Sequence, residues 1–491
     1  MIEQFKEQIK DGALKIKNNQ QLTDLTFIKI LNVSKLTVEY CQNIIQNINN
    51  NTIKELHIQN CNFENVLGIQ LNNLKVLSIK EQKIKNMLDI LITMQNSPQF
   101  SQLQELNISE QIIAKKIFQK EISENQKLKI EQLNDQKYMV NLVKLKLLGN
   151  DISDINILST FINLEELDLS GNKKIHIGPI KYLTKLIKLS LDCCELTDIQ
   201  DLSHLTNLID LSLCGNQDVD IAPLNNLTQL VSLQLHGCGL TDIFPLQYLT
   251  QLNYLLLSVN SIKDVSFLRS LRNLKELSLA FNDFVDIVPL QHLENLSILD
   301  LSYIKIKDFS VLRKLRNLEE LSISGNFYLE ISVFQYLVKL RKLNLSRCKI
   351  YDISSLRPLV NLQKLILDDN LIYDISPLAL LKKLTELSFK ENKITSILKI
   401  QQHPFFHNFK MDFQENPTQK EHNIYIKIQK IDDSTIILQN MSQKRKQIFS
   451  RINSMKGCVF QCLQNQSLNH FQLSQNIVSL FNTLNITERY Q

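Results

Sequence analysis

LKELSLAFNDFVDIVPLQHLEN, residues 274–295, is one turn of a repeat. It carries leucines at Leu274, Leu277 and Leu279, an asparagine at Asn282, an aspartate at Asp286 and then Pro289 and Leu290. Around Leu277 apolar and polar residues alternate, as in a half-buried strand. Twenty-two residues on, the pattern restarts, and it does so from Leu142, Leu164, Leu186, Leu208, Leu230, Leu252, Leu274, Leu296, Leu318, Leu340, Leu362 and Leu384. Twelve units without an insertion are the mark of a solenoid, in which each unit buries its apolar face only against its neighbours.

Eight residues after each start comes a position expected to be buried and polar. It holds Asn150, Asn172, Asn216, Asn260, Asn282, Asn326, Asn370 and Asn392, with Cys194, Cys238 and Cys348 in three units and Ile304 in one. The chain turns sharply after a short strand and leaves backbone groups without ladder partners. A buried amide satisfies them, and stacked amides form a row. Cysteine is a small, weak donor and fits the same place structurally.

Twelve residues after the start comes Asp in nine units: Asp154, Asp198, Asp220, Asp242, Asp264, Asp286, Asp308, Asp352 and Asp374. An aspartate before a short helical run is a natural N-cap, so capping accounts for this row without a metal. Pro after Asp-Ile-x, as in Asp286 to Leu290, suits the first helical turn.

These units resemble the 22-residue class of leucine-rich repeats, found in SDS-twenty-two-like phosphatase regulators and in bacterial internalins. The resemblance implies an α/β leucine-rich-repeat solenoid: a curved right-handed coil with a parallel sheet on the concave face, short helical or 3-10 segments on the convex face, and terminal caps. It further implies a protein partner, with a phosphatase catalytic subunit as the named candidate.

The expected organisation is a cap helix over residues 1–21 and irregular repeats over 22–141, started by Val33, Ile53, Leu74 and Leu103, with an insertion near 110–140. The twelve regular repeats fill 142–405, and 406–491 is read as a C-terminal cap and helical tail. Ile2, Phe5, Ile9 and Ile16 suggest the cap helix. Cys41 and Cys61 fall at the asparagine position of the first two irregular units. In the tail, Ile424, Ile426 and Ile428 alternate like a strand, and residues 443–463 and 471–484 have helical spacing.

Composition narrows the function. The chain is 44% hydrophobic and 21% charged over 491 residues, ordinary for a soluble globular protein. Its net charge of +5 offers no concentrated basic face for nucleic acid. No apolar run suits a secretory signal or a membrane span, and the expected location is cytoplasmic. Nine cysteines, five of them at the recurrent asparagine position, do not read as a disulfide framework.

No catalytic constellation emerges, and no cofactor or metal is expected. The ten glycines form no phosphate-cradling loop. His403 and His407 are separated by Pro404, and Cys458 and Cys462 lack a second pair, so both are read as structural. Lys444, Arg445, Lys446 and Arg451 are read as a solvated face.

The strand pattern also locates a candidate contact surface. Residues three and five after each start point inward, and those at two, four and six point to the concave face. Most of the latter are small or charged. Tyr254, Leu256 and Ile298 break that pattern, while Val259, Phe281 and Tyr303 occupy position seven in three successive units. These six residues are the candidate partner-binding patch, with Phe327 and Tyr328 as its extension. The leading reading is a non-enzymatic protein-binding scaffold or adaptor. The alternatives are an internalin-like adhesion or surface protein, favoured by the Asp-Ile-x-Pro-Leu units, and an enzyme with its activity in the C-terminal segment.

Overall fold

A computed structural model describes residues 5, 7–18, 25–41, 48–61, 69–80, 87–109, 139–150, 152–327, 329–395, 410–412, 416, 430–431 and 435–436. Within them lies one parallel sheet of 18 strands. In the regular region each strand is three residues long and is repeated at the 22-residue period, from Lys144–Lys146 through Glu276–Ser278 to Glu386–Ser388. Equivalent residues pair directly across the sheet: Leu255 stands beside Leu277, and Leu277 beside Leu299.

Each strand's central leucine points inward, where it meets the leucines of the start position and of position five; Leu274, Leu277 and Leu279 are all buried. One continuous apolar core runs from Phe5 to Ile394 through Leu or Ile residues contributed by every turn. No unit owns a closed core, so every strand depends on the strand before and after it.

The return path is a 3-10 turn of about five residues, such as Val288–His292, with Pro289 in its first turn and Leu290 buried beneath it. Six such turns carry a proline at this point, where its missing N–H breaks no hydrogen bond. Asp286 Oδ1 accepts the Val288 N–H at 2.8 Å. The other eight aspartates of the row accept the equivalent N–H two residues on, at 2.7–2.9 Å. The capping bond expected from sequence is thus present, from a residue one before the nominal N-cap of each helical turn.

The N-terminus differs from expectation. Ala13–Lys17, placed by sequence within a cap helix over 1–21, is a strand paired in parallel with Lys35–Glu39. Leu14 and Ile16 alternate into the core, and the preceding Asp11-Gly12 turn has φ of 50° and 74°. Lys10 and Ala13 exchange both backbone hydrogen bonds across it, the pattern of a tight hairpin turn. The open edge of the first repeat offers a ladder that a helix would leave unpaired, and the chain fills it.

The irregular repeats contribute five-residue strands at Lys35–Glu39, Glu55–Gln59, Val76–Lys80 and Glu105–Ser109. A helix at Met87–Gln95 lengthens one return path, and Gln95 Nε2 donates to Thr160 Oγ1 at 2.7 Å, tying it to a later turn. The insertion near 110–140 lies outside the described residues apart from 139–140.

The sheet also continues past the twelfth unit. Lys410–Asp412 pairs in parallel with Glu386–Ser388, although sequence assigned everything after 405 to a cap and helical tail. Asn416 is buried, donates to Phe389 O and accepts from Ile394 N, so the asparagine row gains a member that the 22-residue count misses by two residues. Lys430–Ile431 and Thr435–Ile436 form a small antiparallel pair. The helical spacing of 443–463 and 471–484, the alternation at Ile424 to Ile428, His403, His407, Cys458, Cys462 and the basic cluster from Lys444 to Arg451 lie outside the described residues. Among the described residues no helix is long and apolar enough to cross a membrane.

Candidate protein-binding surface

Three rows of side chains run across the turns and define the surface. The innermost is the asparagine row. Asn282 Nδ2 donates to Leu257 O of the preceding turn at 2.9 Å and to Leu279 O of its own at 3.0 Å, and its Oδ1 accepts Ile262 N–H at 3.0 Å. Asn172, Asn216, Asn260 and Asn370 repeat this bridge, each also accepting from a second backbone N–H. Asn392 bonds the same way to Leu367 O, Phe389 O and Ile372 N, while Asn150 donates to Ile108 O and Leu148 O.

Cysteine takes the donor half of this role. Cys194, Cys238 and Cys348 donate from Sγ to the same carbonyl of the preceding turn at 3.2–3.4 Å. They offer no acceptor oxygen, and the backbone reroutes: Lys174 N bonds Cys194 O, and Asp218 N bonds Cys238 O. Cys41 and Cys61 donate to nearby backbone carbonyls likewise. Burial pushes the thiols of Cys194 and Cys348 up to about 11 and that of Cys238 to about 12, which suits packing and not nucleophilic chemistry. Ile304 interrupts the row, and opposite it Asn326 Oδ1 is buried without a partner.

A second amide row, not anticipated from sequence, precedes the start leucines. Asn163, Asn207, Asn273, Asn295, Asn317 and Asn361 each donate to a carbonyl of the turn before, at 2.8–3.0 Å. Its signal was the recurrent Asn-Leu doublet. Among the described residues, no group of three or more His, Cys, Asp or Glu is arranged to hold a metal.

The outermost row is position seven, in the turn that follows each strand, where the backbone enters the left-handed region in all twelve units. Glycine takes five of these places: Gly149, Gly171, Gly215, Gly237 and Gly325. Val259, Phe281 and Tyr303 adopt φ of 58°, 54° and 54° despite their side chains. A β-branched or aromatic residue there carries a backbone cost of about 1–2 kcal/mol. These three are 47%, 50% and 37% exposed. They lean along the row: Phe281 stacks on Tyr303 with centroids 4.5 Å apart and planes 11° from parallel. The Tyr303 ring in turn covers Gly325, where an added Cβ would lie 2.5 Å from the ring. Arg347 donates from Nη1 to the Tyr303 hydroxyl at 3.3 Å, and Lys349 sits 4.7 Å above the Phe327 ring. Tyr328 lies outside the described residues.

Tyr254, Leu256 and Ile298 are half-buried on the strand face, not on this rim. Tyr254 and Ile298 flank Glu276, and Leu256 abuts Ser278. Between them and the rim lie the small buried residues Ser258, Ala280 and Ser302. The six candidates therefore form two groups, an apolar set on the strands and an aromatic rim, joined by a floor of small side chains. Burial and the neighbouring Glu276 carboxylate push the Tyr254 hydroxyl upward, keeping it a neutral donor at neutral pH.

Comparison with known proteins agrees with this architecture. Residues 272–314 match the family described as leucine-rich repeats in two copies. The chain is similar to internalin InlF of Listeria monocytogenes, at 32% identity over 57% of this chain and 83% of that one, with a TM-score of 0.53. It shares its fold with a leucine-rich-repeat protein of Leptospira interrogans, at 24% identity over 80% of this chain and 94% of the other, with a TM-score of 0.56. No curated protein matches the chain in sequence. Its repeat, its sheet and these likenesses together make the chain a leucine-rich-repeat protein.

Proposed function

We propose that this protein is a non-enzymatic scaffold that binds another protein through the middle of its concave face. One observation carries the reading. In three successive turns, at a place where the backbone favours glycine, the chain holds Val259, Phe281 and Tyr303 half-exposed. Strain kept at an exposed apolar position points to use, and aromatic anchors within a polar rim are the usual form of a protein-binding hot spot. The cytosol is the compartment this reading assumes, and a phosphatase catalytic subunit remains the partner suggested by the likeness to phosphatase regulators.

The test is affinity capture from the native cell extract, comparing wild type with a folded variant carrying Tyr254→Ser, Phe281→Ser and Tyr303→Ser. A partner held by wild type and lost from the variant supports the reading. Identical partners on both remove the patch from it, and capture of nothing by either removes the scaffold itself.

A second reading, an internalin-like recognition protein acting at a surface, draws on the 32% identity to InlF. Localising the untagged protein separates the two, since surface exposure fits only the second.

A further inference from the structure

The outward strand position two residues after each start forms a ladder of charge. Glu55 pairs with Lys35 at 2.7 Å, and Lys144 lies 3.5 Å from Glu105 and 3.3 Å from Glu166. Further along, Asp210 pairs with Lys188, Glu320 with Lys342 and Glu386 with Lys364, at 2.6–2.9 Å. Each of these carboxylates meets a lysine on the adjoining strand.

Glu276 is the exception. Its lateral neighbours in the row are Tyr254 and Ile298, and it forms no ion pair among the described residues. On the next strand, Asp300 spends one oxygen on the Ser302 N–H and hydroxyl and likewise pairs with no cation among the described residues. The four strands from Ser232–Gln234 to Ile298–Asp300 present these two carboxylates outward and no lysine or arginine. Lysine-bearing strands resume beyond them on either side, at Lys188 and Lys342. The negative window coincides with the apolar group Tyr254, Leu256 and Ile298, beside the rim of Val259, Phe281 and Tyr303.

This coincidence selects the occupant. A partner segment that reaches from the aromatic rim across the floor of small residues to Tyr254 and Ile298 also strips water from Glu276. Burying a carboxylate without a counter-charge is costly, and an apolar or acidic surface would be rejected there. A lysine or arginine brought by the partner removes the penalty, and its aliphatic stem packs against Tyr254 and Ile298. Resting on the protein-binding reading above, we infer that the mid-solenoid face docks a protein segment that places a lysine or arginine side chain against Glu276 and an aromatic or aliphatic side chain on Phe281 and Tyr303.

The test pans a phage-displayed random peptide library on the full-length chain, on Glu276→Gln, on Glu276→Lys, and on the double variant Phe281→Ser with Tyr303→Ser. Circular dichroism first establishes that each is folded. Peptides enriched on wild type are expected to carry a basic residue close to an aromatic or aliphatic one. They should bind Glu276→Gln about tenfold more weakly, and Glu276→Lys should instead select acidic residues at the same place. Peptides that need Phe281 and Tyr303 but ignore Glu276 overturn the basic occupant and leave the protein-binding reading standing. Absence of enrichment over the double serine variant overturns both.

Discussion

Replacing Asn282 with leucine tests the reasoning about the inner row. The amide serves Leu257 O, Leu279 O and Ile262 N–H. Leu257 O keeps a donor in Asn260 Nδ2 at 2.9 Å. Leu279 O does not, because the next turn carries Ile304 where an asparagine would reach back to it. Ile262 N–H loses the amide and keeps only the route that Lys174 N and Asp218 N take at Cys194 and Cys238, to the backbone carbonyl of residue 282. Leu279 O is stranded at about 1–3 kcal/mol and Ile262 N–H loses a bond worth about 1 kcal/mol, while the buried leucine returns about 1 kcal/mol. The net loss is about 1–3 kcal/mol. It falls on the central turns, where it uncouples units on both sides. Urea unfolding followed by far-ultraviolet circular dichroism measures it, the chain having no tryptophan to report by fluorescence. Asn282→Cys, which keeps a donor as Cys238 does, should fall between wild type and the leucine variant. An Asn282→Leu midpoint equal to wild type would refute the row's structural role.

Three further outcomes follow from the same geometry. Val259→Gly should raise stability by about 1 kcal/mol in urea unfolding, because glycine adopts the φ of 58° that valine adopts under strain; a loss would mean that the Val259 side chain packs more than it strains. The Ser310 N–H holds the Asp308 carboxyl below its ordinary value of 3.8. Its contribution is therefore complete above that value and lost as pH falls through the lower folded one, so the gap between wild type and Asp308→Asn midpoints should be present at neutral pH and close in acid. A gap that persists unchanged in acid would contradict the capping bond. In native protein at pH 8, iodoacetamide should label exposed Cys193 while Cys194, Cys238 and Cys348, with thiols raised to about 11–12, stay unmodified by peptide mapping; rapid labelling of Cys238 would show that the inner row opens.

Much of this molecule is written in a period. Once Leu274 is known to recur as Leu296, the lateral neighbours of every strand residue in the regular repeats lie 22 positions away. The inward leucines, the buried asparagines and the capping aspartates follow from that spacing, because each is set within its own turn or by the adjoining one. The charge ladder and its gap at Glu276 are legible in the same way, yet they become visible only when residues 22 apart are set side by side as pairs.

Other features depend on where the chain goes when the period is broken. The first strand, Ala13–Lys17, exists because an open sheet edge lies beside it and Asp11-Gly12 turns the chain onto that edge. Spacing alone read the same residues as helical. The strands of the irregular repeats start 20, 21, 29 and 39 residues apart, so no fixed count locates them. Likewise, Phe281 and Tyr303 are adjacent by count. That their rings stack, and that Tyr303 ends over Gly325, shows only in the folded chain. Local sequence determined the repeat, since its hydrogen bonds and burial close between neighbouring turns. The tertiary structure decided the ends, where a neighbouring turn is missing on one side, and the exposed rim, whose rings rest on the turns beside them.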